Sequence, residues 1–365
     1  MKRPWQVVVC GTKFGRVYAA ALAKGIDDLQ LAGIIARGSQ RSVDCARFHG
    51  VPLYESIDDL PSSVDAACVI VGAGIAGGKG TEIATALLGR GVAVLQEHPM
   101  HHDELARVAS VAVRNRTVHQ LCTLYPYTEN IGRFVRAARA LRNVQPLLYA
   151  DITCAVQFKL SAFDILCRIL DRVRPWSFES LPFSPASNAP QSPWRSIQGV
   201  LGGLPIVIRL QNQLHATDPD NYSHAMHRIT LGTASGSLVL TDTNGPILWF
   251  PRPHIPLSIQ QAEEPEACID PALDLAACTV VHAGSGDWRD VIGRQWRDAA
   301  RRAVALVRRR VEGEQEPYDS QYYLALTRVL HDFDKTVGPP ELIRDPPVVP
   351  LDPGALIEAA RLGPI

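Results

Sequence analysis

Gln-Val-Val-Val-Cys-Gly-Thr-Lys-Phe-Gly-Arg-Val-Tyr-Ala-Ala-Ala, residues 6–21, is the stretch on which the fold turns. The β-branched run Val7, Val8, Val9 reads as a strand and Gly11 to Gly15 as a short turn, after which Val17, Tyr18, Ala20, Ala21 and Leu22 take up a helical rhythm. Strand, glycine turn and helix in this order aim the free N–H groups of a helix N-terminus at a pyrophosphate, and glycine lets the backbone come close. The full dinucleotide fingerprint asks for three glycines. Lys13 and Arg16 occupy the second and third positions, so only Gly11 fits, with Gly15 displaced by one. Gly11, Thr12, Lys13, Phe14 and Gly15 are therefore the expected cofactor loop, against the plainer reading of a tight βα turn in some other α/β domain.

The pattern continues outward from that turn. Residues 29–36 read as a second buried parallel strand, because their apolar residues run together rather than alternate. At its end, Ala36-Arg37-Gly38-Ser39-Gln40-Arg41-Ser42 contains no carboxylate. A free ribose 2′-hydroxyl normally meets an acid here, whereas a 2′-phosphate needs cations and hydroxyls. Arg37, Ser39 and Arg41 thus predict NADPH rather than NADH; the competing reading leaves both arginines as solvated turn residues. A helix over 42–48, a short strand over 51–54 and an acidic helix near 57–60 follow, then a strand over 66–71. That strand ends in the glycine-rich run Gly72-Ala73-Gly74 and Gly77-Gly78-Lys79-Gly80, where an open α/β sheet holds its cofactor. A helix over 81–88, a strand over 92–96, a helix over 103–113 and a strand over 120–124 complete a doubly wound parallel sheet.

Beyond Pro126 the grammar changes. A helix over 131–141, a long strand over 147–158 and a helix over 161–173 precede a proline-rich loop over 182–193. Strands over 205–213, 226–231, 237–243 and 246–250, with a hairpin around Asn244-Gly245, predict an antiparallel sheet. A second loose segment spans 251–271, and helices over 288–311 and 320–335 lead into a proline-rich tail. The expected domains are 1–125, an NADP-binding domain, and 126–365, an α+β substrate domain that also serves dimerisation.

Composition excludes some classes and leaves others. With 37 basic and 37 acidic side chains the formal charge is zero, which offers no general attraction to nucleic acid. No apolar run approaches the roughly 18 to 20 residues needed to cross a bilayer, and the start Met-Lys-Arg-Pro-Trp does not resemble a secretory leader. Eight cysteines without a Cys-x-x-Cys pair read as reduced core thiols. The expected location is the cytoplasm, with no metal, nucleic acid or membrane partner.

After the strand over 92–96 comes Gln96-Glu97-His98-Pro99-Met100-His101-His102, where a nicotinamide ring would lie. This resembles the glucose-fructose oxidoreductase and inositol dehydrogenase superfamily, whose motif at that place is Glu-Lys-Pro; here His98 replaces the lysine. A narrower resemblance rests on residues 11–18 (Gly-Thr-Lys-Phe-Gly-Arg-Val-Tyr), 76–81 (Ala-Gly-Gly-Lys-Gly-Thr), 97–101 (Glu-His-Pro-Met-His) and 124–128 (Leu-Tyr-Pro-Tyr-Thr). Met226-His227-Arg228 and Gly245-Pro246-Ile247-Leu248-Trp249 extend it into the second half. Together they resemble the thiazolinyl imine reductases of yersiniabactin and pyochelin siderophore assembly. That resemblance implies NADPH-dependent reduction of a thiazoline C=N to a thiazolidine, on an intermediate carried as a thioester by a carrier domain of a nonribosomal peptide synthetase. Its proposed acid pair falls on His98 and Tyr125.

Chemistry agrees with that assignment. Hydride added to the carbon of a C=N leaves negative charge on nitrogen, which a nearby proton donor neutralises. An unperturbed His98 titrates near working pH, and Tyr125 offers a phenol followed by Pro126. If residues 124–128 stay extended, Tyr127 shares the face of Tyr125 and is an equal candidate. The bland readings are a packed His98 beside Pro99 and a rim tyrosine. His101 and His102 have no ligand spacing for a metal. Glu97 and Gly72 complete the expected cofactor contacts. In the helix over 288–311, Ile292, Trp296, Ala299, Ala303 and Leu306 form the expected core stripe, with Arg294, Arg297, Arg301 and Arg308 opposite as a solvated face or a docking stripe for an acidic carrier. The alternatives to imine reduction are a sugar or polyol dehydrogenase of the same superfamily, which the loss of the lysine disfavours, and a non-catalytic NADP-binding sensor.

Overall fold

The computed structural model describes residues 3–73, 78–182, 192–253, 255–261, 263–264, 274–346 and 349–361. Gly74, Ala76 and Gly77 of the glycine-rich run, most of the proline-rich loop over 182–193 and part of the segment over 251–271 lie outside them. Strands β1 (Trp5–Cys10), β2 (Leu29–Ile35), β3 (Leu53–Tyr54), β4 (Ala66–Val69), β5 (Ala93–Glu97) and β6 (His119–Cys122) form one sheet in the order β3-β2-β1-β4-β5-β6. Every neighbouring pair is parallel. Val7, Val8, Val9 and Cys10 are fully buried, as a strand covered on both faces must be. Helices α1 (Gly15–Leu22), α2 (Gln40–His49), α3 (Gly80–Gly89) and α4 (His102–Arg114) provide the crossovers. The strand order reverses between β1 and β4, which opens a crevice at their carboxyl ends.

The second sheet has eight strands, β7 (Tyr149–Ala155), β8 (Trp176–Leu181), β9 (Trp194–Leu201), β10 (Leu204–Gln211), β12 (Arg228–Thr233), β13 (Gly236–Leu240), β14 (Ile247–Pro251) and β15 (Thr279–His282). Between β10 and β12, β11 (Gln213–His215) leaves the sheet to pair in parallel with β16 (Glu341–Ile343). The order in the large sheet is β15-β14-β13-β12-β7-β10-β9-β8, antiparallel throughout except that β7 and β10 run parallel. The fold is thus a doubly wound parallel sheet followed by a mostly antiparallel one.

Several sequence expectations change. Strands β8, β9 and β15, the first and last of them at the sheet edges, carry few buried residues and sit beside the proline-rich segments, and their weak alternation gave no strand expectation. The expected strand over 147–158 stops at Ala155 and tightens into a 3₁₀ turn, Val156–Phe158, before α6 (Lys159–Leu170). Residues 124–128 are not extended: Leu124 has φ of +55° and Tyr125–Tyr127 is a 3₁₀ turn ahead of α5 (Glu129–Val144). The tail holds β16 and α11 (Gly354–Arg361).

After the short helices α7 (Leu257–Gln260) and α8 (Trp288–Asp290), the chain returns to the first sheet. Helix α9 (Trp296–Val311) lays Ala299, Ala300, Ala303, Val304 and Val307 against Val7, Val9, Tyr18 and Ala19. Small residues on both helices let α9 and α1 approach closely. Ile292, expected in the core stripe, is 43% exposed, because residues Val291–Gln295 form a π turn that rotates it outward. The basic stripe opposite is engaged within the chain: Arg294 pairs with Asp290 and Glu129, Arg301 with Asp298, and Arg308 with Glu312. Helix α10 (Ser320–Val337) closes the molecule, with Tyr323, Leu326, Val329 and Phe333 buried in a core shared by both sheets.

Candidate active site

At the carboxyl end of β1, Gly11 adopts φ of +90° and donates its N–H to Ile35 O at 3.0 Å. A Cβ there would stand 2.6 Å from Ile70 O, so a side chain is excluded by both conformation and space. Gly80, at the start of α3, is held as tightly, with a Cβ position 2.2 Å from Val71 O. Helix α1 begins with no side-chain cap and no acid in its first turn, leaving N–H groups and a positive dipole end for an anion. This glycine cradle and uncapped helix fit a dinucleotide pyrophosphate. Thr12 is buried and Lys13 exposed. Arg41 reaches over to Thr12, Nε to Oγ1 at 3.4 Å, which joins the loop to the end of β2.

Arg37, Ser39 and Arg41 all lie exposed beyond β2, as a 2′-phosphate site requires. Ser39 has a second task as the N-cap of α2, accepting from Ser42 N at 3.4 Å. The absence of acid from residues 36–42 does not carry over to space. Glu55, just past β3, places Oε1 2.8 Å from where a Cβ on Gly38 would be.

A cavity of about 610 Å³ opens at the carboxyl ends of β4, β5 and β6. Phe14, Gly72, Glu97, His98 and Tyr125, drawn from four separate strand ends, converge on it. The His98–Pro99 peptide is cis. The second domain supplies the other wall: Gln157, Phe158 and Lys159 at the start of α6, Asp220 from a short turn, and Asp334 of α10, which accepts from Lys159 Nζ at 2.5 Å. None of these was singled out from the sequence. Gln157 and Phe158 were read into a strand, and Asp220 and Asp334 sit in segments with no motif.

Tyr125 and Tyr127 part company at the 3₁₀ turn. Tyr125 turns to the cavity and packs its ring 5.6 Å from Phe158 and 4.8 Å from His227. His227 is fully buried and its tautomer follows from its neighbours. Ser161 donates its hydroxyl to Phe158 O at 2.8 Å, so its oxygen accepts from His227 Nε2–H at 2.6 Å. His227 Nδ1 then accepts from Thr243 Oγ1 at 2.7 Å. Burial pulls His227 down to about 3 against the opposing charge of Asp242. It is a neutral pin behind Tyr125.

Tyr127 instead faces a buried ion pair. Asp164 of α6 accepts from Arg168 Nε at 2.7 Å, Thr123 Oγ1 at 2.6 Å, Tyr322 OH at 2.7 Å and Tyr323 OH at 3.0 Å. The guanidinium of Arg168 lies 5.1 Å from the Tyr127 ring centroid and 4.0 Å from that of Tyr318. One carboxylate thereby ties the end of β6 to α6 and α10.

Burial sets the protonation states in the cavity. It pulls His98 down to about 4, with Asp164 opposing, so the imidazole is neutral at working pH rather than titrating there. Burial raises the phenol of Tyr125, and Asp220 and Glu97 raise it further. Burial, then the charge of Asp220, pushes Glu97 up to about 8. Its Oε2 is buried and accepts no hydrogen bond from any described residue. His101 caps α4, and His102 Nδ1 meets Thr327 Oγ1 at 3.2 Å. Among the described residues no group of three His, Cys, Asp or Glu could hold a metal ion.

Residues 5–122 match the family model described as oxidoreductase family, NAD-binding Rossmann fold. Residues 145–250 match the model described as thiazolinyl imine reductase Irp3-like, C-terminal. No curated protein matches the chain. Among solved structures it is similar to GenD2 of gentamicin A biosynthesis in complex with NAD, with a TM-score of 0.63 and 13% identity over 92% of this chain and 95% of that one. Biliverdin reductase from Synechocystis, in complex with biliverdin and NADP⁺, aligns with a TM-score of 0.60 and 14% identity over 90% and 98%. A putative NADPH-dependent oxidoreductase from Desulfitobacterium hafniense aligns with a TM-score of 0.64 and 12% identity over 91% and 94%. At such identities the likeness is one of fold. Among the described residues no helix is long and apolar enough to cross a membrane.

Proposed function

We propose that this chain, an NAD(P)-dependent oxidoreductase built from a Rossmann domain and a thiazolinyl-imine-reductase-like second domain, reduces the C=N of a thiazoline to a thiazolidine with NADPH. The observation that carries the reading is the placing of His98 and Tyr125 on one cavity at the carboxyl edge of the parallel sheet, in a chain whose residues 145–250 match the imine reductase model. The nicotinamide supplies a hydride. Gly11, Thr12, Lys13, Phe14 and Gly15 hold the pyrophosphate, Gly72 and Glu97 border the nicotinamide end, and Arg37, Ser39 and Arg41 take the 2′-phosphate.

As hydride reaches the imine carbon, the electron pair of the double bond moves to nitrogen and a proton must follow. Tyr125 is the donor that carries a proton at every working pH; the neutral His98 N–H orients the ring nitrogen or shares the donation. Phe158 and the rest of the apolar wall exclude water from the reacting atoms. The substrate is a siderophore intermediate tethered to a carrier domain of a nonribosomal peptide synthetase, and the setting is cytoplasmic. A homodimer through the outer face of the eight-stranded sheet, where Tyr149, Val207 and Phe250 are exposed, belongs to the same reading.

The test is oxidation of NADPH by the protein with a thiazoline-bearing thioester analogue, beside NADH and a polyol with NADP⁺. Thiazoline-dependent oxidation is the expected result. Polyol turnover would transfer the site to sugar or polyol dehydrogenation, and tight NADPH binding without either turnover would leave a sensor.

A further inference from the structure

Glu97 is half-buried, with an enclosed carboxyl oxygen that the hydride and proton steps above do not use. It ends β5, opposite Cys122 on β6, with its Oε2 enclosed and unpartnered and its side chain on the cavity shared with Tyr125 and Asp220. We propose that Glu97 stores the proton that restores Tyr125 after each turnover, and that Asp220 at the mouth of the cavity relays its replacement from solvent. This rests on Tyr125 being the donor in the reduction proposed above.

The proton count closes. Tyr125 gives its hydroxyl proton to the nitrogen that has received the electron pair, which leaves a phenolate. That phenolate takes the proton of the Glu97 carboxylic acid, directly or through one water. The Glu97 carboxylate then takes a proton from solvent by way of Asp220, and no oxidant or reductant beyond the hydride donor is consumed. The direction is downhill at the middle step, because a carboxyl pushed up to about 8 is still a far stronger acid than a phenol raised above its ordinary value. The shared cavity also explains why only one acid keeps its proton. Asp220 is exposed; burial and the charge of Asp218 raise its carboxyl above the ordinary value, and its charge discourages ionisation of Glu97. The Lys159–Asp334 ion pair lines the same cavity as Glu97; the other titratable groups near Glu97 are its neighbour His98, Cys122, Cys68 on β4 and Tyr18 on α1. Burial keeps all four uncharged, so Asp220 is the charge that tunes it.

The experiment pairs infrared titration of the whole protein with the pH profile of thiazoline-dependent turnover, for the wild type and for Glu97→Gln, Glu97→Asp and Asp220→Asn. The wild type should show the carbonyl stretch of a protonated carboxylic acid at neutral pH. That band should disappear on raising the pH past about 8 and be absent from Glu97→Gln. Turnover in the wild type should fall over the same range. Glu97→Gln, which keeps a polar group at the nicotinamide end, should lose about 10²-fold in kcat, the lower end of acid catalysis, and lose that alkaline limb, a loss larger than any change in NADPH affinity. Glu97→Asp should restore a limb, and Asp220→Asn should move it to lower pH. Absence of the band, or a Glu97→Gln protein with the wild-type limb and weakened NADPH binding, would overturn the proposal and leave Glu97 with its cofactor contact alone. If the wild type turns over no thiazoline, the imine reductase reading fails on its own. The band then decides alone whether Glu97 stores a proton.

Discussion

Two carboxyl groups flank the loop from Thr123 to Thr128, Asp164 fully buried and Glu97 half-buried, and they are treated in opposite ways. Asp164, below the loop, receives hydrogen bonds from Arg168, Thr123, Tyr322 and Tyr323, and both its oxygens are fully occupied. Glu97, above it, faces the cavity with one oxygen unpartnered and is pushed up to about 8. A buried charge is tolerated when donors surround it, and one without donors keeps its proton instead. The first arrangement makes a strut between β6, α6 and α10. The second makes a proton available beside Tyr125. The turn between them sends Tyr127 to the strut and Tyr125 to the cavity, so two tyrosines of one short motif do different work.

The strongest way to break this comparison is Asp164→Ala. It strands Arg168 as a buried charge, and breaking such a pair costs about 3–5 kcal/mol, to be read from denaturant or thermal unfolding. A loss below about 1 kcal/mol would show that the network is not a strut. Glu97→Gln, by contrast, should raise stability at neutral pH, since the wild-type carboxyl, raised from 4.5 to about 8 on folding, must take up a proton to fold there and an amide need not.

Next in size is Tyr125→Phe, which should lower kcat by about 10²-fold or more with little change in NADPH affinity. A matching loss from Tyr127→Phe would erase the division of labour, because Tyr127 borders Arg168 and not the cavity.

The pH profile of stability sharpens the contrast further. His98, His119 and His227 have ordinary values of 6.5 but are pulled down by burial to about 4, 3 and 3. Below pH 6.5 the unfolded chain therefore binds more protons than the folded one, and stability falls as pH drops towards 4. Glu97 has the opposite sign. Its value rises from 4.5 to about 8 on folding, so the folded chain binds the extra proton and stability declines as pH climbs through that window. Chemical denaturation from pH 4 to 9 should show a loss below about pH 6.5 from the histidines and an opposing loss as pH climbs from about 4.5 to about 8, with only the latter removed by Glu97→Gln.

The smallest effects belong at the far end of the cofactor. Arg37→Ala with Arg41→Ala should weaken NADPH about tenfold more than NADH, a difference in line with one charge-assisted hydrogen bond. Glu55→Gln should favour NADPH by a few-fold in direct titration, since its carboxylate stands beside the same loop. Equal weakening of both cofactors by the arginine pair would remove them from phosphate recognition.

Much of this was readable along the chain. Period and run length marked the six parallel strands, and the motif at residues 97–99 marked the cavity. Strands β8, β9 and β15 were not readable, because strands with few buried positions resemble loops. Residues 124–128 misled because local pattern does not reveal a positive φ at Leu124. Asp220 and Glu55 carry no local signature at all.

What the sequence by itself determined was the order of elements, the glycine turn at Gly11 and the set of side chains at the ends of β1, β2, β5 and β6, since each depends on neighbours a few residues away. Tertiary structure alone decided which of those side chains meet. Tyr322 reaches Asp164 across 158 positions of chain and Arg310 reaches His119 across 191. Whether a carboxyl is surrounded by donors or left with its proton depends on such distant partners. That is why Asp164 is a strut and Glu97 is an acid.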